Sequence, residues 1–194
     1  MNHRTATIQR HTRETRIDLT LNLDGSGIVD VKTGIGFLDH LLTALAFHAR
    51  FDLTLRCEGD LHIDDHHTAE DCAIALGAAL DQALGDRRGI ARFGWALLPM
   101  DEALAQAAID LVRRSYAVVD LKLKRDRVGE LACENIPHVL HSLATAGAFT
   151  LHCSVTCGAN DHHQAEAAFK SLALALRQAV ARTGGDSPST KGVM

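Results

Sequence analysis

The sequence predicts an α+β fold built by internal duplication of a βββαβα unit, with two four-stranded sheets and the helices packed between them. Asp65-His66-His67-Thr68-Ala69-Glu70 returns 96 residues later as Asp161-His162-His163-Gln164-Ala165-Glu166. His40 and His138 each stand 11 residues before a phenylalanine, Phe51 or Phe149, that opens a strand-like run. In both halves the periodicity switches in the same order, from alternation to the i, i+3, i+4 spacing of a helix.

Alternating runs at 5–12 and 16–23, a Gly25-Ser26-Gly27 turn and a short run at 28–31 read as three strands. Over 36–47, Phe37, Leu38, Leu41, Leu42 and Leu45 form one helical face. A strand at 51–57 and a helix over about 67–84, closed by Gly85, complete the unit. The second half gives strands near 91–98 and 115–121, a helix at 136–146, a strand at 149–155 and a helix at 163–181. Residues 102–111 conflict: their Ala and Leu favour helix by propensity, yet the repeat requires a strand, and the repeat is given precedence. The expected division is 1–90 for one half, 91–183 for the other, and a flexible arm at 184–194.

A chain of 194 residues, 46% hydrophobic and 23% charged, can bury a sizeable core. Its 20 basic and 24 acidic residues are interspersed, so the net charge of −4 leaves no footprint for nucleic acid. No apolar run approaches the roughly 18 residues of a membrane span, and the N-terminus leads into alternation instead of a signal-peptide core. A cytoplasmic location and no membrane partner are expected. The five cysteines are odd in number and lack a Cys-x-x-Cys pair, which argues against a disulfide framework or a thiolate metal site. They read as buried thiols.

The chemistry therefore falls to histidine. Where a helix begins at His-His-x-x-Glu, His66 and Glu70 share one face while His67 points about 100° away. His162, Glu166 and His163 repeat the arrangement. With His40 and His138 from the preceding helices, eight ligands result, six His and two Glu. One partition consistent with the pseudo-twofold sets His66, Glu70, His138 and His163 around one metal, and His40, His67, His162 and Glu166 around the other. Imidazole and carboxylate without thiolate favour Mn, Fe, Zn, Co or Ni, and four protein ligands leave open positions for substrate. Asp39, Asp65 and Asp161, each next to a ligand, are candidates to hydrogen-bond the ligand rings.

Several blocks carry a resemblance. Thr33-Gly34-Ile35-Gly36-Phe37-Leu38-Asp39-His40, the run from Gly59 to Asp71, Pro99-Met100-Asp101-Glu102, Asn160-Asp161-His162-His163 and Pro188-Ser189-Thr190-Lys191-Gly192 resemble the imidazoleglycerol-phosphate dehydratases of histidine biosynthesis. The resemblance spans nearly the whole chain. It implies a doubled fold like the second domain of ribosomal protein S5, and a lyase that uses two Mn²⁺ ions to convert D-erythro-imidazole glycerol phosphate to imidazole acetol phosphate and water. It also implies a homo-oligomer of 24 subunits whose sites combine ligands from neighbouring chains.

By the same resemblance Glu14 contacts substrate and is a candidate acid or base, alongside Glu70 and Glu166. His40, His48, His66 and His162 also line the substrate. Arg92, Arg114, Lys170, Ser189, Thr190 and Lys191 meet its phosphate end, the last three on an arm that closes over it. One departure stands out: the family's Ser-Gly-Arg is replaced here by Val112-Arg113-Arg114. The chain reaches Met194 with no phosphatase domain fused to it, so a monofunctional enzyme is expected. A binuclear metallohydrolase would use the same ligands to activate water, and a metal-organised shell protein would turn nothing over; the residues alone leave both open.

Overall fold

The computed structural model describes residues 4–186, 189 and 190. In chain order its elements are β1 (Thr5–His11), β2 (Thr15–Asn22), β3 (Val29–Lys32), α1 (Gly36–Ala49), β4 (Asp52–Gly59) and α2 (His66–Leu84). There follow β5 (Phe93–Met100), β6 (Ala103–Asp110), β7 (Tyr116–Asp120), β8 (Arg127–Val128), β9 (Leu131–Ala132), α3 (Asn135–Ala146), β10 (Thr150–Cys157) and α4 (Asp161–Ala179). One sheet has the order β1-β2-β4-β3 and the other β5-β6-β10-β7. In each, the third strand of the unit runs parallel to the fourth and all other pairings are antiparallel.

The helices lie between the sheets. α2 covers β1 and β2, α1 lies against β3, α4 covers β5 and β6, and α3 lies against β7, while α1 meets α4 and α2 meets α3. Leu19, Leu38, Leu55, Phe149, Phe169 and Leu172 are buried where these layers meet. Among the described residues no helix is long and apolar enough to cross a membrane.

β6 resolves the conflict between propensity and repeat. Ala103, Ala105, Ala107 and Ile109 are buried while Leu104, Gln106, Ala108 and Asp110 face outward, the two-residue period of a strand. Its inward alanines are short because α4 packs closely there. On the neighbouring strand, a Cβ added to Gly94 would stand 1.9 Å from the Ala175 carbonyl oxygen. The short β8–β9 hairpin has no counterpart in the first half and no signal in the repeat. Of the five thiols, Cys72, Cys133 and Cys153 are buried, Cys57 is half-buried and Cys157 is exposed. The register slips between Val155 and Cys157, which ends the alternation that had kept Cys153 and Val155 inward.

Beyond α4 the chain stays attached to the body: Ile90 bridges Arg182, and the Gly89 carbonyl accepts the Thr183 N–H at 2.8 Å. Asp24 ties the start of β1 to this segment by accepting from Arg4 and, at 3.0 Å, from Arg182. The Arg4 guanidinium holds the Asp24 carboxyl at about 2, with Arg182 assisting and burial opposing.

Two outcomes follow from this packing. Gly94→Ala forces α4 off β5 and should cost about 3 kcal/mol in urea denaturation, the range for overpacking against backbone. Because Asp24 titrates below its unfolded value of about 3.9, its stabilisation is complete above that value and is lost as pH falls toward 2. Asp24→Asn should therefore lower the urea midpoint near neutral pH but much less at about pH 2, where the parent has itself lost the contribution.

Candidate metal centres

Local capping places both histidine pairs in the first turn of a helix. The Asp64 carboxylate accepts the His66 N–H at 2.9 Å, and the Asn160 side chain caps α4 by accepting the His162 N–H at 2.9 Å. These caps start α2 at His66 and α4 at Asp161, slightly ahead of the positions at which the sequence suggests helix.

From there the i, i+4 geometry acts as expected, and two clusters form. His66, Glu70 and His138 offer ligand atoms within 4.8 Å of one another, as do His40, His162 and Glu166. In the first, His138 Nε2 lies 2.9 Å from Glu70 Oε1, and the His66 and His138 rings stack with centroids 4.9 Å apart. In the second, Glu166 Oε2 lies 3.0 Å from His40 Nε2 and 3.2 Å from His162 Nε2. Each cluster takes two groups from one half of the chain and one from the other.

Lys170 Nζ sits 2.6 Å from Glu166 Oε1. Burial pushes the Glu166 carboxyl up, but Lys170 and His40 outweigh it and hold it at about 2. His48 shares this neighbourhood: burial and then the Lys170 charge push its pKa down, with Glu166 opposing.

His67 and His163 belong to neither cluster. The His67 ring nitrogens lie 2.9 Å from Asp60 and 3.8 Å from Glu14. Those of His163 lie 2.7 Å from Glu102 and 3.7 Å from Asp101. His163 and the N–H groups of Asn160 and Ala159 hold the Glu102 carboxyl at about 2, and Asp60 raises the His67 pKa. Each turned-away histidine thus sits beside a glutamate from the turn between the first two strands of its own half, Glu14 or Glu102.

The carboxylates beside the ligands do other work than the sequence suggests. Asp39 accepts from the Thr33 N–H and hydroxyl, Asp65 from the Ala132 N–H and the Asn135 amide, and Asp161 from the N–H groups of Lys124 and Arg125. Successive helical residues diverge by about 100°, so a neighbour in sequence does not reach the ligand's ring. The ring partners are Asn135 for His66, Asp60 for His67 and Glu102 for His163. Glu102 carried a signal, since it follows Glu14 by 88 residues, the same offset that relates β5 to β1. Asp60 and Asn135 carried none.

The remaining residues are spread along the chain. Arg92 grips Asp110 through two bonds of 2.7 and 3.0 Å and lies over the Phe93 ring. Its N–H is bonded to Ala179, at the far end of α4 from His162 and roughly 25 Å from it by the helical rise. Arg114 is exposed on the loop after β6. Beside it Arg113 turns back onto the end of α2, donating to the Gly85 carbonyl at 2.7 Å and pairing with Asp81. The extra charge of Val112-Arg113-Arg114 is thus taken up by α2. Ser189 is half-buried and Thr190 exposed; Lys191 lies outside the described residues.

The donor sets fit hard or borderline divalent cations, being imidazole and carboxylate with no thiolate. The profile of the imidazoleglycerol-phosphate dehydratase family matches residues 33–176. The chain is 54% identical to the imidazoleglycerol-phosphate dehydratase of Phaffia rhodozyma, over 98% of this chain and 96% of that one. The crystal structure of the Pyrococcus furiosus enzyme in complex with (S)-C348 superposes with a TM-score of 0.84 at 37% identity, covering 96% of this chain and 100% of that one. The Staphylococcus aureus enzyme gives a TM-score of 0.84 at 30% identity, with 92% and 99% covered. The matching family model, the relative identical at more than half of its positions and the superposing structures together show that the chain belongs to the imidazoleglycerol-phosphate dehydratase family, hydro-lyases of histidine biosynthesis.

Proposed function

We propose that the chain is a cytoplasmic di-manganese enzyme that removes water from D-erythro-imidazole glycerol phosphate to give imidazole acetol phosphate. The observation that carries this reading is the pair of three-ligand clusters, each partly open to solvent and each one imidazole short of the four-ligand set expected from the sequence. The missing histidines, His67 and His163, are present but turned aside. They serve the clusters of neighbouring copies, so that complete sites require an assembly, and the family resemblance implies one of 24 subunits.

Two further features support self-association. Phe93, Trp95, Leu97, Tyr116 and Val118 are exposed, at 50%, 68%, 62%, 66% and 43%, on the outer face of the second sheet. Arg92 is held at the far end of α4 from the cluster at His162, too far to share a substrate with it, and Arg114 is exposed on the loop after β6. In the assembly they join Lys170, Ser189, Thr190 and Lys191 around the phosphate, with the arm after residue 184 closing over it. The halves at 1–90 and 91–183 each supply one ligand helix pair.

Manganese at the two centres would supply Lewis-acid polarisation of the substrate's imidazole. The chain's own residues do the rest. His40, His66, His138, His162, Glu70 and Glu166 fix the ring's orientation, and His48 borders it. Asp60 holds the His67 ring at 2.9 Å, and Glu14 lies 3.8 Å from the same ring. Delivering His67 to another copy therefore delivers Glu14 with it, as the group that moves a proton at the carbon and hydroxyl being eliminated.

Glu14→Gln should lower turnover by about 10²–10⁴-fold while leaving bound metal and subunit mass unchanged; a rate within a few fold of the parent would remove Glu14 from the mechanism. Stripping metal with a chelator should abolish product and shrink the particle, and Mn²⁺ should restore both. Release of inorganic phosphate in place of the dehydrated ketone would turn the reading to a metallohydrolase.

A further inference from the structure

We propose that the two metal centres are unequal, the one at His66, Glu70 and His138 binding more tightly than the one at His40, His162 and Glu166. This rests on the reading of both clusters as metal centres. The duplication supplies an internal control, because each ligand of one centre has a counterpart at the other.

The first difference lies behind the ligand histidines. Asn135 precedes His138 by three residues on α3, as Phe37 precedes His40 on α1. Asn135 is 4% exposed, and its amide nitrogen donates to Asp65 at 3.0 Å. Asp65 also accepts the Ala132 N–H at 2.6 Å, and an ionised carboxylate only accepts, so the Asn135 amide has one orientation available. That orientation aims its carbonyl oxygen at His66 Nδ1, 2.9 Å away. The oxygen also only accepts, so Nδ1 carries the hydrogen and Nε2 keeps its lone pair for a cation. At the other centre the Phe37 ring packs 4.9 Å from His162 and has no such acceptor to offer.

The second difference lies at the carboxylates. Four residues after Glu166 comes Lys170, its ammonium 2.6 Å from the carboxylate; four residues after Glu70 comes Ile74. A cation at the second centre must share Glu166 with a fixed positive charge, while one at Glu70 meets no such competitor at that position. Both differences favour the same centre. Asn135 acts here as a positioning residue for His66, and Lys170 sets the weaker affinity of its own centre.

The test is a binding curve read without turnover. Protein stripped by chelation is dialysed against graded manganese(II) chloride, and bound metal per chain is counted by atomic emission. Two steps of one metal each are expected, separated by about tenfold or more. Asn135→Leu and Asn135→Ala differ in bulk but both lack the amide. Each should weaken the tighter step by about 10–100-fold and leave the weaker one in place. Lys170→Met should tighten the weaker step severalfold and leave the tighter one. A single step in the parent, Asn135 variants that move only the weaker step, or a Lys170→Met curve superposing on the parent would each overturn the inequality. Should circular dichroism find the Asn135 variants unfolded, the parent and Lys170→Met curves decide alone. A parent that takes up no manganese would instead overturn the metal reading itself.

Discussion

The site depends on how closely α2 packs on α3 and α1 on α4, since each cluster takes its His and Glu from one helix and its third group from the other. An imidazole reaches only a few ångströms, so the helices must approach with little between them. Gly77 shows how this is met on one side: a Cβ there would stand 2.6 Å from the Leu143 carbonyl oxygen and 2.7 Å from the Gly147 nitrogen. On the other side, small residues such as Ala165 and Ala168 lie buried on α4. Two sheets hold these helix pairs from outside. Core packing and ligand geometry are therefore one constraint, and relaxing the first loosens the second.

A second restraint acts on the ligand helices' starting points. The link from β3 to α1 is only residues 33–35, whereas that from β7 to α3 runs over 121–134 and carries β8 and β9. This longer link touches both ligand helices at their first turns. Asp65 accepts its Ala132 N–H at 2.6 Å, and Asp161 accepts the Lys124 and Arg125 N–H groups at 3.1 and 2.7 Å. One segment thus sets the relative placement of the two histidine pairs, and its last neighbour, Asn135, reaches the His66 ring itself.

What was legible in the sequence was whatever the duplication repeats. The strand at β6 is the plainest case: its alanines favour helix locally, and only comparison with β2 reveals the two-residue period. The i, i+4 placement of His66 with Glu70 and of His162 with Glu166 was legible because helical geometry fixes it. Asn135, the partner that orients the His66 ring, was not, because it arrives from an element 69 residues away in sequence. Adjacency in sequence pointed to Asp39, Asp65 and Asp161 instead. Where the halves differ, as at the β8–β9 hairpin or Val112-Arg113-Arg114, the repeat is silent and local packing decides. The end of α2 captures Arg113 through Gly85 and Asp81, which no periodicity encodes.

Both His-His pairs stand at helix N-termini, where the aligned peptide dipoles amount to about half a positive charge. Such an end attracts anions and repels a divalent cation, so by its backbone alone each helix is the wrong way round for a metal. Asp64 and Asp65 at the start of α2, and Asp161 at that of α4, set negative charge against that end. The carboxylates that read as caps and loop clamps are in this light electrostatic counterweights, lowering the local potential to one in which a doubly charged ion can sit. Neutralising any of them should be felt across the first turn by the ion as well as by the backbone.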